Sequence, residues 1–225
     1  MPVLVPSSVP RAHLKTVTHI GTLVATDKGH QGQSYEGDGV SFSVHPAAWE
    51  TIARLGGLPW WEADVSSMAL VDGHAFVKNA GQELAIWGLE CGWVTPAVEW
   101  VVRWFDDESN DTLEMVLPTQ EAAQEEAEDL EGSEIVKRNG HAPTAALIER
   151  MRHSSKDVGR PKANVLDDVA TVWAQDHGFT GIWWNDELNL GRLSAPRGVV
   201  FPEHVASVGF ALVSPPHAKP RRPRP

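Results

Sequence analysis

Two adjacent carboxylic acids, Asp186 and Glu187, lie between two apolar runs in the segment 179–201, FTGIWWNDELNLGRLSAPRGVVF. Residues 180–184 and 198–201 are rich in β-branched or aromatic side chains, so each run is predicted to be a strand. A strand that ends in acids at the start of a long loop can hold a carboxylate rigidly at the rim of a cleft. The segment is therefore the first candidate for a site of chemistry. On residue types alone, the alternative is a hairpin whose acids face water.

Only one of the two acids can face a cleft if the chain is extended there, because neighbouring side chains of a strand point to opposite sides. Ile182 and Trp184 would share a face with Asp186, whereas Trp183 would share the other face with Glu187. The alternation does not say which face lines the pocket. Both acids are therefore kept as candidates.

A second group of candidates lies near the amino terminus. Residues 16–25 read as a first strand that carries His19 and is interrupted by Gly21, and an interior glycine often marks a close backbone approach. Residues 39–44 alternate as a second strand, and a helix is predicted from Pro46, which suits a first helical turn. Trp49 falls on the apolar face of that helix, where it is either a ligand contact or helix core.

Composition restricts the class of protein. The chain has 225 residues and a formal net charge of -11, which argues against nucleic acid as a partner because phosphate binding needs clustered Lys and Arg. With Cys91 as its single cysteine there is no intramolecular disulfide, and Cys91 is expected to be a small buried group. No apolar run reaches the ~20 residues of a membrane span. We expect a cytoplasmic protein without a membrane partner.

The middle and the two ends of the chain carry fewer signals. Residues 83–90, 98–106 and 112–117 are predicted to form an antiparallel sheet, with Trp87, Trp100 and Trp104 in its core. Residues around Pro59 read as a packed loop. Helices are predicted from Thr119 to Gly132, from Thr144 to His153 and from Asn164 to His177. The domain organisation is then an extended arm at 1–12, a body at 13–213, and a Pro/Arg-rich tail at 214–225 that is expected to be disordered.

Common catalytic and metal motifs are missing. The sequence has no GxxxxGK[ST] loop, no HExxH helix and no GxSxG elbow, and none of its ten histidines forms an i, i+4 pair. No metal site is predicted. A hydrolase triad of Ser41, His19 and Asp186 can be assembled on paper, because triads are recognised by geometry rather than by spacing.

Three segments, in this order, resemble the ADP-ribosyltransferase superfamily. The first is His19-Ile20-Gly21-Thr22, similar to that family's histidine followed by Gly and Thr or Ser. The second runs from Gly37 to Ser43 and is followed by Pro46. The third is the segment 179–201 with the residues after it, which also resembles the closing segment of phage-encoded members of the anti-CRISPR type. The resemblance hardly covers residues 56–160.

The resemblance implies an α+β fold in which a split antiparallel sheet clasps NAD, the co-substrate. His19 would bond a ribose hydroxyl, Gly21 would let backbone groups reach the nicotinamide carboxamide, and Thr22, Ser41 and Ser43 would also contribute to NAD binding. Asp186, or its neighbour Glu187, would stabilise the oxocarbenium-like charge that forms when the nicotinamide–ribose bond breaks. The chain departs from the family because Ser41 replaces the usual aromatic and an aspartate replaces the usual glutamate.

Trp49 is the candidate for the missing stacking aromatic. The implied function is transfer of ADP-ribose from NAD to a macromolecular acceptor, expected to be a protein, by a phage or toxin effector in a bacterial or phage-infected cytoplasm. The rival from the binding class is an inactive member of the fold that holds a protein partner.

Overall fold

The computed structural model describes residues 4–23, 38–107 and 110–213, and within them the fold is α+β, as predicted. The strands are β1 Thr16–Ile20, β2 Val40–Phe42, β3 Trp60–Asp64, β4 Leu70–Asp72, β5 Val94–Asp106, β6 Asp111–Leu117, β7 Glu134–Pro143, β8 Gly181–Trp184, β9 Arg197–Val200 and β10 Ala211–Val213. The helices are α1 Pro46–Ile52, α2 Gly73–Glu90, α3 Gln120–Glu128, α4 Ala145–Arg150, α5 Val165–Asp176 and α6 Val205–Val208. Short 3₁₀ turns occupy Pro6–Ser8, Ser155–Asp157 and Pro202–His204.

The chain divides into two compact units. The central unit comprises the described residues of Met1–Ser8 and Phe76–Trp173, and the terminal unit comprises those of Val9–Ala75 and Ala174–Pro225. In the described part of the terminal unit, the strands form a three-stranded sheet in the order β1-β3-β10 and a four-stranded sheet in the order β2-β9-β8-β4. The central unit holds a sheet in the order β6-β5-β7.

The two sheets of the terminal unit meet at one pair of residues. Thr18 of β1 and Ser43, the residue after β2, exchange both backbone hydrogen bonds, each 2.9 Å long. Backbone hydrogen bonds therefore join the two sheets at this point. The prediction of purely antiparallel pairing is wrong for one pair, because β4 and β8 run parallel.

Apolar side chains of both sheets form the core of the terminal unit. Phe42 stacks on Trp183 with ring centroids 5.8 Å apart, and both are buried with Val17, Leu70 and Val200. Gly198 allows this contact, because a Cβ there would lie 2.6 Å from the Phe42 ring. The core therefore fixes β8 against β9 and β2, the strands whose ends carry the candidate site.

The central unit presents a ladder of opposite charges across its sheet. Arg103 of β5 lies opposite Glu114 of β6 and Glu134 of β7, and donates to them at 2.7 and 3.0 Å. Arg138 of β7 donates to Glu99 of β5 at 2.8 Å and to Glu114 at 2.9 Å. Hydrogen bonds from Arg103, followed by those from Arg138, lower the pKa of Glu114 below its ordinary value of 4.5.

Glu114→Gln is expected to reduce the free energy of unfolding by about 0.5–1 kcal/mol at neutral pH. The figure is small because the Glu114 side chain is 35% exposed and water screens its ion pairs. A carboxyl group whose pKa is lowered in the folded state stabilises the fold above its unfolded pKa, and this contribution is lost as the pH falls through the folded pKa. Urea titrations should therefore show the difference from wild type closing below pH 4.5. A difference that persists there would contradict the electrostatic explanation.

Residues 83–90, predicted as a strand, instead belong to α2, which has a non-helical residue at Ala80. A short apolar run fits either element, and here the buried positions Leu84 and Gly88 have helical spacing. A Cβ at Gly88 would lie 3.1 Å from Val94 and 3.3 Å from Val169, so close packing rather than propensity explains this glycine. Trp87 is consequently a half-buried helix residue and not sheet core.

Other expectations for the middle of the chain need correction. Trp60 and Trp61 are in β3 rather than in a loop, and Cys91 is exposed rather than buried. Trp100 and Trp104 are in β5 as predicted, but both are only half-buried. The predicted capping of α3 is confirmed, because the Thr119 hydroxyl accepts a hydrogen bond from the Ala122 N–H.

The ends of the chain are only partly described. Residues 10–12, expected to be part of an extended arm, run beside β4: the Ala12 N–H donates to Leu70 and the Asp72 N–H to Pro10. Residues 24–37, which include the end of the predicted first strand, and the tail at 214–225 lie outside the described residues. None of the helices in the described ranges has the length and apolar content that a membrane crossing requires.

Candidate functional site

Four strand termini meet at one end of the four-stranded sheet. β4 and β8 are parallel, with Asp72 opposite Trp183, so both chains leave the sheet at the same end. β9 is antiparallel to β8 and to β2, so it begins at the end where those strands finish. The residues just beyond β2, β4 and β8, and the first residue of β9, therefore converge: they are Ser43, His74, Asp186 and Arg197.

Asp186 is the centre of this group. Its Oδ1 lies 3.3 Å from Nε2 of His74, and its Oδ2 accepts a hydrogen bond from Nη1 of Arg197. The Asp186 side chain is 22% exposed, whereas that of His74 is 47% exposed. The carboxylate is thus held between two side chains, one of which faces water.

His74 is placed by the start of α2. The Asp72 carboxylate accepts a hydrogen bond from the Ala75 N–H at 3.0 Å, which caps the helix and fixes its first turn. The imidazole meets the edge of the Trp184 ring, with centroids 5.4 Å apart. That ring lies against Gly73, where a Cβ would be 2.5 Å away. His74 contacts both Trp184 and Asp186, in agreement with the face that these two residues were predicted to share.

His19 lies in β1, beside the junction of the two sheets. It is buried, with 7% exposure, and its ring nitrogens lie 2.7 Å from the Ser41 carbonyl and 3.1 Å from the Thr22 carbonyl. A carbonyl only accepts, so each of these contacts is a hydrogen bond only when the nitrogen carries a proton. His19 links β1 to β2. His19 is not in the group around Asp186, so the hydrolase triad of Ser41, His19 and Asp186 is not formed.

The backbone of Gly21, expected to face a ligand, makes two hydrogen bonds within the protein. Its N–H donates to the Pro59 carbonyl at 2.9 Å, and its carbonyl accepts from the Trp61 indole N–H at 2.9 Å. Thr22, the next residue, is exposed. A ligand that used the Gly21 amide would have to replace these bonds.

The remaining predicted contacts have structural partners. The Ser43 hydroxyl is fully buried and donates to the Pro196 carbonyl at 2.6 Å, so it ties β2 to the start of β9. Ser41 lies opposite Val199 and is half-buried. Trp49 is half-buried and packs against a small cluster of buried residues, Ile20, Leu55 and Trp60. The helix-core alternative for Trp49 therefore has direct support.

Glu187, the second acid, is exposed in the loop between β8 and β9. The loop closes by backbone hydrogen bonds between Asn189 and Ser194, both 2.9 Å long. The structure thus separates the two acids: Asp186 is held at the sheet, and Glu187 faces solvent.

His74 and Arg197 were missed by the sequence analysis. His74 comes shortly after residues 69–72, ALVD. Asp72 is a residue type that often caps the start of a helix, so a strand followed by a helix could have been predicted here. Arg197 stands in the predicted segment, but only the pairing of β8 with β9 brings it to Asp186. Within the described residues, no three His, Cys, Asp or Glu side chains are arranged to hold a metal ion.

Comparisons of the chain with family models, with curated proteins and with solved structures find no match.

Proposed function

We propose that the protein transfers ADP-ribose from NAD to a protein acceptor, within an ADP-ribosyltransferase-like arrangement of the terminal unit. The observation that carries the proposal is the fixed carboxylate of Asp186 at the end of β8, in the same unit as the buried histidine of β1. The two-sheet arrangement joined at Thr18 and Ser43 supports the same interpretation.

The spacing of the strands is compatible with a dinucleotide. A continuous row crosses the unit from Thr18 to Ser43, then to the start of β9, then to Trp184. Three steps of about 4.8 Å give roughly 14 Å between β1 and β8. An extended molecule that bonds near His19 could therefore place a ribose near Asp186.

In this proposal the protein works mainly through charge. Breaking the bond between nicotinamide and ribose leaves positive charge on the ribose C1′, and a carboxylate held nearby stabilises it. Arg197 and His74 fix both Asp186 oxygens, so the carboxylate needs little reorganisation as charge develops. Arg197 also places a cation beside the site, where it can attract the diphosphate of NAD.

One observation favours a second candidate, a binding module that keeps the fold without turnover. Both Asp186 oxygens already have cationic or hydrogen-bonding partners, and the Gly21 backbone groups are engaged by Pro59 and Trp61. A protein of this kind would hold NAD or a protein partner but would not cleave the nicotinamide bond.

Nicotinamide release separates these two functions. The purified protein is incubated with NAD and a bacterial lysate, and free nicotinamide and the intact masses of lysate proteins are measured. Transfer predicts nicotinamide release together with protein masses raised by one ADP-ribose. NAD binding without nicotinamide release would exclude the transferase and support the binding module.

A further inference from the structure

We propose that His74 is the general base that takes the proton from the acceptor nucleophile. The inference rests on the proposed transfer reaction and assigns a residue to the step in which the acceptor bonds to the ribose C1′. It starts from the pairing of a half-exposed imidazole with a more buried carboxylate, His74 with Asp186.

The carboxylate is arranged to orient the ring. One oxygen of Asp186 faces His74 Nε2 at 3.3 Å, while the other is bound by Arg197. The Trp184 ring, buried against Gly73, supports the imidazole from one side. A carboxylate that is less exposed than the histidine it contacts can fix the tautomer and direction of the ring, and proteins use this arrangement to make an imidazole an effective base.

The position of His74 suits an incoming acceptor. Its side chain is 47% exposed, so a macromolecule that arrives from solvent can reach it. His19 does not suit this task, because it is buried. Among the residues grouped around Asp186, His74 is the side chain whose ordinary chemistry is proton transfer near neutral pH.

The C1′–N bond of NAD breaks, and its electron pair leaves with neutral nicotinamide. The acceptor oxygen or nitrogen bonds to C1′, and its proton passes to His74 and then to water. No oxidant, reductant or further reactant is required.

The test uses His74→Ala with added imidazole. Transfer of biotin-labelled ADP-ribose to lysate proteins and nicotinamide release are both measured at several NAD concentrations. Loss of a general base should reduce kcat about 10²-fold, with KM for NAD little changed. Imidazole in the buffer should restore part of the transfer, because it can occupy the space left by the side chain. His13→Ala, which removes an exposed histidine of the same unit, serves as the control.

If His74→Ala retains wild-type turnover, His74 is not the base and the transferase proposal stands. The same conclusion follows if His74→Ala loses turnover, imidazole does not restore it, and Asp186→Asn is also inactive. If the wild-type protein releases no nicotinamide, the transferase proposal fails and the role of His74 fails with it. If thermal unfolding shows that His74→Ala does not fold, His74→Gln is used in its place. A folded His74→Gln with full turnover overturns the inference. A lower kcat with the KM for NAD retained supports it.

Discussion

Asp186→Asn is expected to lower the rate of nicotinamide release by roughly 10²-fold or more while NAD still binds. The substitution keeps the shape of the side chain but removes its charge. Positive charge develops on the ribose mainly in the transition state, so the loss should appear in kcat rather than in the affinity for NAD. Stopped assays of nicotinamide release, together with calorimetric binding of NAD, measure the two quantities separately.

Glu187→Gln is the matched control, since it removes a neighbouring charge that the structure leaves in solvent. Little change in turnover is expected from it. Activity that survives Asp186→Asn but is lost in Glu187→Gln would reverse the assignment of the two acids. Turnover that survives in both variants would show that the loop between β8 and β9 takes no part in the mechanism.

The strands that carry Asp186 could be predicted because their signals are local. β8 and β9 are short runs of β-branched and aromatic residues with a polar loop between them, and the acid falls at the end of the first run. Helix α5 could be predicted for the same reason: its apolar stripe ends at Gly178, which has the positive φ of 73° that glycine adopts easily. These elements need no knowledge of distant partners.

The partners of Asp186 could not be predicted in the same way. His74 precedes it by more than a hundred residues, and it reaches Asp186 because β4 pairs in parallel with β8. Parallel pairing needs a long crossover connection, and a sequence read in short windows carries no direct signal for such a pairing. The same limit applies to β7, which was not predicted: Glu134 and Arg138 find partners of opposite charge only when they are placed opposite Arg103 and Glu99 of β5.

Gly21 shows a different limit. Its type fits the positive φ of 138° that it adopts, but the sequence did not say which groups its backbone contacts. In the structure the neighbours are the Pro59 carbonyl and the Trp61 indole of the chain itself. A residue type can thus predict geometry while leaving the identity of the contact open.

Asp168→Asn should lower the free energy of unfolding by about 3 kcal/mol. Asp168 lies on α5 in the central unit and is only 2% exposed. Its two oxygens lie 3.0 Å from His153 Nε2 and 2.8 Å from Lys162 Nζ, two residues of the segment between α4 and α5. The substitution would leave the Lys162 ammonium, which is 23% exposed, beside a buried neutral amide. Breaking one side of a buried pair costs more than the pair contributes, because the other charge remains desolvated.

Urea unfolding of Asp168→Asn, compared with Asp129→Asn at an exposed position after α3, measures this effect. The control should change stability by less than about 0.5 kcal/mol. Adding Lys162→Met to Asp168→Asn should recover part of the loss, since an apolar side chain of similar length does not need the missing carboxylate. If the double variant is less stable than Asp168→Asn alone, the desolvated ammonium is not the source of the loss, and hydrogen bonding by His153 must then carry it.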